Sequence, residues 1–503
     1  MSVTVRFAPS PTGGLHIGGV RTALYNYLFA KKHQGRFILR IEDTDQTRFV
    51  EGAEQYIIDS LKWCGIEFTE GVHLGGTCEP YRQSERKALY AQYAKELVEK
   101  GAAYYAFDTP EELDEMRTRL EASGVKSPQY NSITRNTMKN SLSLPQEETQ
   151  RRLDAGDPYV LRLKVPRKEE VRFHDEVRGW VVIHSSQVDD KVLVKSDGMP
   201  TYHMANVIDD HTMGVTHVIR GEEWLSSTPL HVLLYRAFGW ENTMPKFAHL
   251  PLILKPEGTG KLSKRDADKF PQFPLEWTDA EGKTFKGFRE LGYLPEALMN
   301  FLALLGWNPG GDEEIMDMNR LIEAFSLEKI GKSGTKYDLA KADWFNQIYL
   351  RKKEDSDLLP QVQLELEKAG LGRRDEAFVL KVISLLKDRV TFIREFVHHG
   401  RYFFETPATF DEDMKKSKWN EHCPNWMREI SGVWEGLEDW THASMDAAFK
   451  AWAVQAGIGA GKVLPALRLA VTGMSFGPST FDVAELIGKA ETLKRLRFAA
   501  ENI

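Results

Sequence analysis

Residues 3–9, VTVRFAP, alternate as a strand, and residues 36–43, RFILRIED, read as a second. Between them Val20, Ala23, Leu24, Tyr27 and Leu28 recur at helical spacing, with Gly35 as the stop. This is one β-α-β unit, and it implies a parallel sheet with FAPSPTGGLHIGG (7–19) at the carboxyl end of its first strand. Open α/β sheets bind ligands at that end. The loop carries Pro9, Pro11, Gly13, Gly14, Gly18 and Gly19, more than a chain reversal needs. A helix N-terminus with glycine beside it suits phosphate, and His16 could donate to a phosphate oxygen. Taken alone, HIGG reads as a glycine turn with a capping histidine.

Further along, residues 80–100 have a helical pattern, and 106–155 are polar and helix-prone. The strand-like pieces YVLRLKVP (159–166), WVVIHS (180–185) and KVLVK (191–195) follow, as expected of an insertion between two halves of the sheet. HVIR (217–220) is a fresh strand. Thr228 is placed as an N-cap, with Pro229 at the first helical position and HVLLYRAFG (231–239) continuing. Residues 375–398 read as one strong helix with Phe378, Val382, Leu385, Leu386 and Val390 near one face. Strand signals fade after about residue 340, so an all-α C-terminal region is expected.

The 503 residues carry a net charge of −7, so any nucleic-acid partner must be held by local basic patches. Cys64, Cys78 and Cys423 are scattered and odd in number, which suits a reducing cytoplasm and argues against a disulfide framework. With no CxxC pair, a structural zinc is not expected. The N-terminus lacks a signal-peptide apolar region, and the longest apolar run, LMNFLALLGW (298–307), is too short to cross a bilayer. A soluble cytoplasmic protein is the expectation.

In GTGKLSKRD (258–266), Lys261 and Lys264 flank Leu262-Ser263 in a glycine-rich loop. It is not a Walker A loop, because Leu262 stands where Ser or Thr should follow the Gly-Lys pair. Alone it is an exposed basic loop. Paired with HIGG after the first strand of a parallel sheet, it resembles the two signature motifs of class I aminoacyl-tRNA synthetases. RFAPSPTGGLHIGGVRTALYNYLFA (6–30), LRIEDTD (39–45), PTYHMANVIDDHTMGVTHVIRGEEWLSSTP (200–229) and KLSKRD (261–266) closely resemble the bacterial-type glutamyl-tRNA synthetases. LPEALMNFLALLGW (294–307) and, more loosely, LRLAVTG (467–473) extend the likeness over almost the whole chain.

The resemblance implies a Rossmann-like catalytic domain in two halves (1–105 and 191–255). An α+β acceptor-stem insertion (106–190) interrupts it. A lysine-loop and stem-contact domain (256–350) and a helical anticodon-binding region (351–503) follow. It implies glutamate activation by ATP with Mg²⁺, then transfer to glutamate tRNA, by a monomer without zinc or organic cofactor. The amino acid supplies the nucleophile, so the protein must position reactants and neutralise charge. His16, Lys261 and Lys264 are the expected catalytic residues. His16 and the Gly18–Gly19 backbone would hold ATP phosphate, Glu223 the ribose, and the Ile253–Leu254 backbone adenine. Arg6, Ala8, Ser10, Glu42, Tyr202, Asn206 and Arg220 would line the glutamate site. Glu42 is expected on the α-ammonium, and Arg6 and Arg220 on the carboxylates, because an Arg fork suits a planar carboxylate. Asp45, Arg48 and Trp224 match positions near the tRNA 3′ end. Arg389 matches the reader of the third anticodon base and Arg468 another anticodon contact, which implies discrimination against glutamine tRNA.

Two departures stand out. The stretch AAYYAF (102–107), after which many family members carry a cysteine-rich zinc cluster, has no cysteine. Residues 267–290 are longer than the usual link after the lysine loop. A non-discriminating enzyme, a truncated relative that glutamylates a tRNA base, a dead binding module and a small-molecule nucleotidyltransferase are the competing readings. The Arg389 match counts against the first. The long helical C-terminal region counts against the second and the last, and intact His16, Glu42, Lys261 and Lys264 count against the third.

Overall fold

The computed structural model describes residues 2–503 except Thr259, Lys264 and Arg265. The chain falls into two units, Met1–Glu290 with Leu298–Leu339, and Leu291–Ala297 with Ala340–Ile503.

In the first unit, β1 (Thr4–Phe7), β2 (Arg36–Leu39) and β3 (Glu70–Gly71) form a parallel sheet in that order, with Thr4 opposite Arg36 and Phe7 opposite Leu39. Helix α1 (Ile17–Lys32) makes the first crossover and buries Ile17, Val20, Leu24 and Leu28 completely. Gly35 is part of the helix stop, as read from sequence, its N–H donating to Ala30 O at 2.8 Å. The left-handed residue there is Gln34, at φ 51°. Gly35 is glycine because a Cβ would meet the Val3 carbonyl oxygen at 2.3 Å, where β2 starts beside β1.

An antiparallel sheet of β4 (Ala103–Ala106), β5 (Val160–Leu163) and β8 (Val192–Val194) lies between the halves in sequence. WVVIHS does not join it. It forms β7 (Gly179–His184), a hairpin with β6 (Glu170–Asp175), a strand the sequence reading missed. β6 in turn pairs in parallel with β10 (Lys246–Leu250), beside β9 (His217–Gly221), in the order β7-β6-β10-β9. Phe173 of β6 packs edge-on against Phe247 of β10, which anchors the hairpin here. The β1 and β9 sheets meet where Thr216 N–H donates to Thr4 O at 2.9 Å and Thr4 N–H donates to Thr216 Oγ1 at 2.9 Å.

Thr228 is not an N-cap. A 3₁₀ turn, Glu222–Ser227, runs into the helix Thr228–Phe238, and Ser227 holds the cap position. Thr228 is fully buried and its hydroxyl serves Arg220 instead. Short pairs complete the unit, β11 (Ile253–Leu254) with β14 (Thr335–Lys336) and β12 (Trp277–Thr278) with β13 (Thr284–Phe285).

Regular structure in the second unit is helical, as expected. The single helix read over 375–398 is two, Glu376–Leu386 and Arg394–Phe404, split by a 3₁₀ turn at Lys387–Arg389 and an extended Val390. The Glu395 carboxylate accepts the Thr391 and Phe392 N–H groups at 2.7 and 3.3 Å and starts the second helix afresh. The buried face of the first is Val379, Val382, Ile383 and Leu386. Among the described residues no helix is long and apolar enough to cross a membrane.

The Gly35 contact is with backbone and cannot rotate away. Gly35→Ala is expected to cost about 1–3 kcal/mol, read as a fall in the thermal midpoint.

Candidate active site

The carboxyl ends of β1, β2 and β9 converge, as parallel strands require. Arg6 stands in β1, Glu42 just beyond β2, Arg220 in β9, and Tyr202 and Asn206 on the helix Tyr202–Thr212. All five line one cavity of about 290 Å³, with Ala8 and Ser10 on its wall. The two arginines are only 4% and 5% exposed, so they are not ordinary surface residues.

What holds them is a buried charge network. Arg6 grips Asp210 two ways, Nε to Oδ1 at 3.0 Å and Nη2 to Oδ2 at 3.2 Å. Arg40, wholly buried, donates from Nη1 to the same Oδ1 at 2.8 Å and from Nη2 to Glu42 Oε1 at 3.0 Å. Asn206 Nδ2 donates to that Glu42 oxygen at 2.9 Å. Burial alone would raise the Asp210 carboxyl, but Arg6 and Arg40 outweigh it and hold it below the usual range. At Glu42 burial wins over Arg40, Arg6 and Asn206, and the carboxyl is raised. Asp209, the next residue, takes Arg86 Nε at 2.8 Å and Tyr90 Oη at 2.9 Å.

Arg220 is held at each nitrogen, with Nε on His249 at 3.0 Å, Nη1 on Tyr202 Oη at 2.9 Å and Nη2 on Thr228 Oγ1 at 2.8 Å. Trp224 lies over Tyr202, ring centroids 4.4 Å apart, at the cavity mouth. Asp45 and Arg48 pair with each other at 2.7 Å and line an adjoining cavity of about 90 Å³ with Ser10, Glu42, Tyr202 and Trp224.

A third cavity, of about 400 Å³, opens on the other side of the glycine loop. His16, Gly18, Gly19 and Glu223 line both it and the first, and Ile253 and Lys261 line it alone. Lys261 Nζ donates to Glu223 Oε1 at 2.8 Å. Burial would raise the Glu223 carboxyl, but Lys261 outweighs it and lowers it. The Ile253 carbonyl accepts Leu262 N–H at 2.9 Å and the Leu254 carbonyl accepts Tyr337 N–H at 3.0 Å. Lys264 lies outside the described residues.

The start of α1 differs from the sequence expectation. Gly18 N–H donates to His16 Nδ1 at 3.0 Å, Gly19 N–H to His16 O at 2.8 Å and Ile17 N–H to the Gln272 carbonyl at 2.8 Å. The backbone donators expected for phosphate are thus engaged within the fold, and His16 is a capping residue. With Nδ1 accepting, a neutral His16 ring carries its proton on Nε2, which faces Gln272 Oε1. Gln272 is fully buried and belongs to the long 267–290 segment. That segment clamps the loop from outside. Trp277 packs edge-on against Tyr56 at 4.8 Å, and a Cβ at Gly14 would meet the Trp277 ring at 2.7 Å.

Residues 2–344 match the profile of the catalytic domain of class I tRNA synthetases (E and Q), and residues 355–500 match an anticodon binding domain. The chain is 56% identical to the glutamate–tRNA ligase of Amoebophilus asiaticus over 500 residues, covering 99% of this chain and 98% of that one. It is also 56% identical to the Cytophaga hutchinsonii ligase over 504 residues, 99% and 97% of the two chains. A crystal structure of a glutamate tRNA ligase from Elizabethkingia meningosepticum, in complex with its amino acid, superposes with a TM-score of 0.96 at 48% identity, covering 100% of both chains. The chain belongs to the class I glutamate–tRNA ligase family.

In this glutamate–tRNA ligase family member the two expected anticodon readers share a neighbourhood in the second unit. Arg389 is exposed in the 3₁₀ turn, and Arg468 is half-buried on the helix Ala460–Thr472. Both act on Tyr402, whose hydroxyl burial pushes up to about 12 against their pull. Tyr402 Oη and Arg468 Nη1 are buried without a hydrogen-bond partner among the described residues.

Sequence reasoning missed Arg40, Asp209, Asp210, Gln272, His249 and Asp175. A signal existed for the first three. Adjacent aspartates inside the apolar helical run MANVIDDHTMGV demand buried cations, and Arg40 sits among the apolar residues of FILRIED. Among the described residues, no group of three or more His, Cys, Asp and Glu could hold a metal ion.

Removing the shared cation strands its carboxylates. Arg40→Met is expected to destabilise the protein by about 3–5 kcal/mol, seen as a lower urea midpoint.

Proposed function

We propose that this chain activates L-glutamate with ATP and transfers it to glutamate tRNA. A glutamate carboxylate oxygen attacks the α-phosphorus, the bond to pyrophosphate breaks, and glutamyl-adenylate forms. A ribose hydroxyl of the terminal adenosine then attacks the acyl carbon and AMP leaves. The observation that carries this reading is the pair of cavities sharing His16, Gly18, Gly19 and Glu223, one bearing Arg6, Glu42 and Arg220, the other Lys261.

Glutamate carries two carboxylates and one ammonium, matching two arginines and Glu42. A glutamine amide would leave a buried guanidinium poorly paired, which costs more than the contact itself supplies. ATP phosphate enters beside the glycines and replaces Gln272 Oε1 as acceptor of the His16 Nε2–H. Lys264, assisted by Lys261 once Glu223 turns to the ribose, offsets charge on the transferring phosphoryl group and on pyrophosphate. Mg²⁺ accompanies ATP as part of the substrate. Asp45, Arg48 and Trp224 receive the tRNA 3′ end, and Arg389 and Arg468 read the anticodon. In this reading the enzyme is a cytoplasmic monomer, without zinc, that discriminates against glutamine tRNA.

The test is charging of radiolabelled glutamate, with ATP, onto separate glutamate and glutamine tRNA transcripts. Charging of the first alone is expected. Charging of both would overturn the discrimination, and charging of neither would overturn the function. Lys264→Ala should remove most adenylate formation while tRNA binding stays near wild type. Arg389→Gln should raise charging of glutamine tRNA, and no rise would move the reader elsewhere.

Glu42 supplies a pH signature. Its carboxyl is raised in the fold, so its hold on the ammonium is complete above that raised value and is lost as pH falls through it. The KM for glutamate should therefore climb on acidification through that raised value, above the pH at which an ordinary carboxylate protonates. Glu42→Gln should start high, by about tenfold, and show a flatter profile.

A further inference from the structure

The acceptor that Arg220 meets at Nε is an imidazole nitrogen, and such a nitrogen accepts only when it bears no proton. His249 Nε2 is that acceptor, at 3.0 Å. The other ring nitrogen, Nδ1, lies 2.6 Å from Asp175 Oδ2, so the proton is there. Asp175 is committed on its other oxygen too. Oδ1 accepts the backbone N–H of Val177 at 3.0 Å and of Arg178 at 2.8 Å. Asp175 and His249 have no exposed surface, and Arg220 has 5%. Burial, with Arg220 alongside, lowers the imidazole pKa against the pull of Asp175, which keeps the ring neutral.

The chain of contacts runs from the β6–β7 turn through β10 to the glutamate cavity, and neither Asp175 nor His249 lines that cavity. We infer that Asp175 and His249 are positioning residues for glutamate recognition: Asp175 fixes the Nδ1–H tautomer of His249, and the bare Nε2 aims the Arg220 guanidinium at a substrate carboxylate. The inference rests on the reading of Arg220 as a carboxylate ligand. It also gives the β6–β7 hairpin a role, because the turn after β6 fixes the Asp175 carboxylate.

Asp175→Asn preserves shape and inverts the relay. The amide carbonyl must stay on the Val177 and Arg178 N–H groups, so the amide NH₂ faces His249 Nδ1 and donates to it. The ring proton then moves to Nε2, where it faces Arg220 Nε–H and has the Thr228 hydroxyl 3.2 Å away, so Arg220 Nε loses its acceptor.

The experiment is steady-state charging of glutamate tRNA by the full-length protein, with KM measured for glutamate and for ATP. Asp175→Asn is expected to raise the glutamate KM about tenfold with the ATP KM unchanged. His249→Gln in the wild-type background, whose NH₂ donates to Asp175 while its carbonyl accepts from Arg220, should keep most of the glutamate affinity. The same change added to Asp175→Asn should not recover the loss, because the amide then turns its carbonyl to Asn and its NH₂ to Arg220. A folded Asp175→Asn enzyme with a wild-type glutamate KM would overturn the inference, as would full recovery on adding His249→Gln. Should Asp175→Asn fail to fold, the His249 variants decide alone. His249→Gln should stay within about threefold of wild type and His249→Leu should rise about tenfold, and equal values would overturn the inference. Arg220→Ala separates the two readings. An unchanged glutamate KM there defeats the pocket assignment, whereas a raised one beside a silent Asp175→Asn defeats only the relay.

Discussion

Arg40 is a full charge with no exposed surface, and Asp210, Asp209 and Glu42 surround it. Burial works against its charge, and these three carboxylates keep it protonated far above its ordinary range. Such a group is costly to bury and costlier to leave unpaired. Its partners therefore fix β2 against the helix Tyr202–Thr212, and through Asp210 they fix Arg6 on β1 as well. The cavity lined by Arg6, Glu42 and Arg220 is the open face of this network. Asp210 takes Nε and Nη2 of Arg6, which leaves Nη1 of that guanidinium outside the pair. Glu42 receives Arg40 and Asn206 on one oxygen, Oε1.

The second arginine is built by a different device. Arg220 has no carboxylate beside it in its hydrogen bonds. It is held by an imidazole, a phenol and a hydroxyl, all able to accept without cancelling its charge. The cavity keeps more cationic character this way than it would with a second bidentate aspartate. The cost falls on Asp175, one residue removed, where the charge steers a proton and does not meet the guanidinium directly.

Much of the framework was legible because periodicity and strand order speak directly. The β-α-β start, β9, the helical C-terminal unit and the convergence of Arg6, Glu42 and Arg220 follow from alternation, helical spacing and parallel-sheet logic. What escaped depends on pairings that local pattern does not encode. EVRFHD (170–175) alternates as a strand should, yet its charges leave only two apolar residues to signal it, and its pairing with β10 is non-local. Gly35 read as a helix stop, and it closes that stop on Ala30 O, but the need for glycine there comes from the backbone approach to Val3. Thr228 had the right residue type and neighbour for a cap, and burial reassigned its hydroxyl to Arg220. The glycine loop was read as offering free N–H groups. Gln272, in a segment with no expected role, takes one of them, and His16 takes two more. The 375–398 helix is broken where Glu395 takes the Thr391 and Phe392 N–H groups just before the second helix, side-chain bonds that hydrophobic spacing does not report.

The central claim is that Asp210 and Arg40 prepare Arg6 for glutamate. Calorimetric titration of Asp210→Asn with L-glutamate, and separately with ATP, tests it most directly. The substitution is isosteric and removes the charge that orients Arg6. The account predicts that a folded Asp210→Asn protein binds glutamate at least about tenfold more weakly and ATP as before. Wild-type glutamate affinity in that folded variant would contradict it.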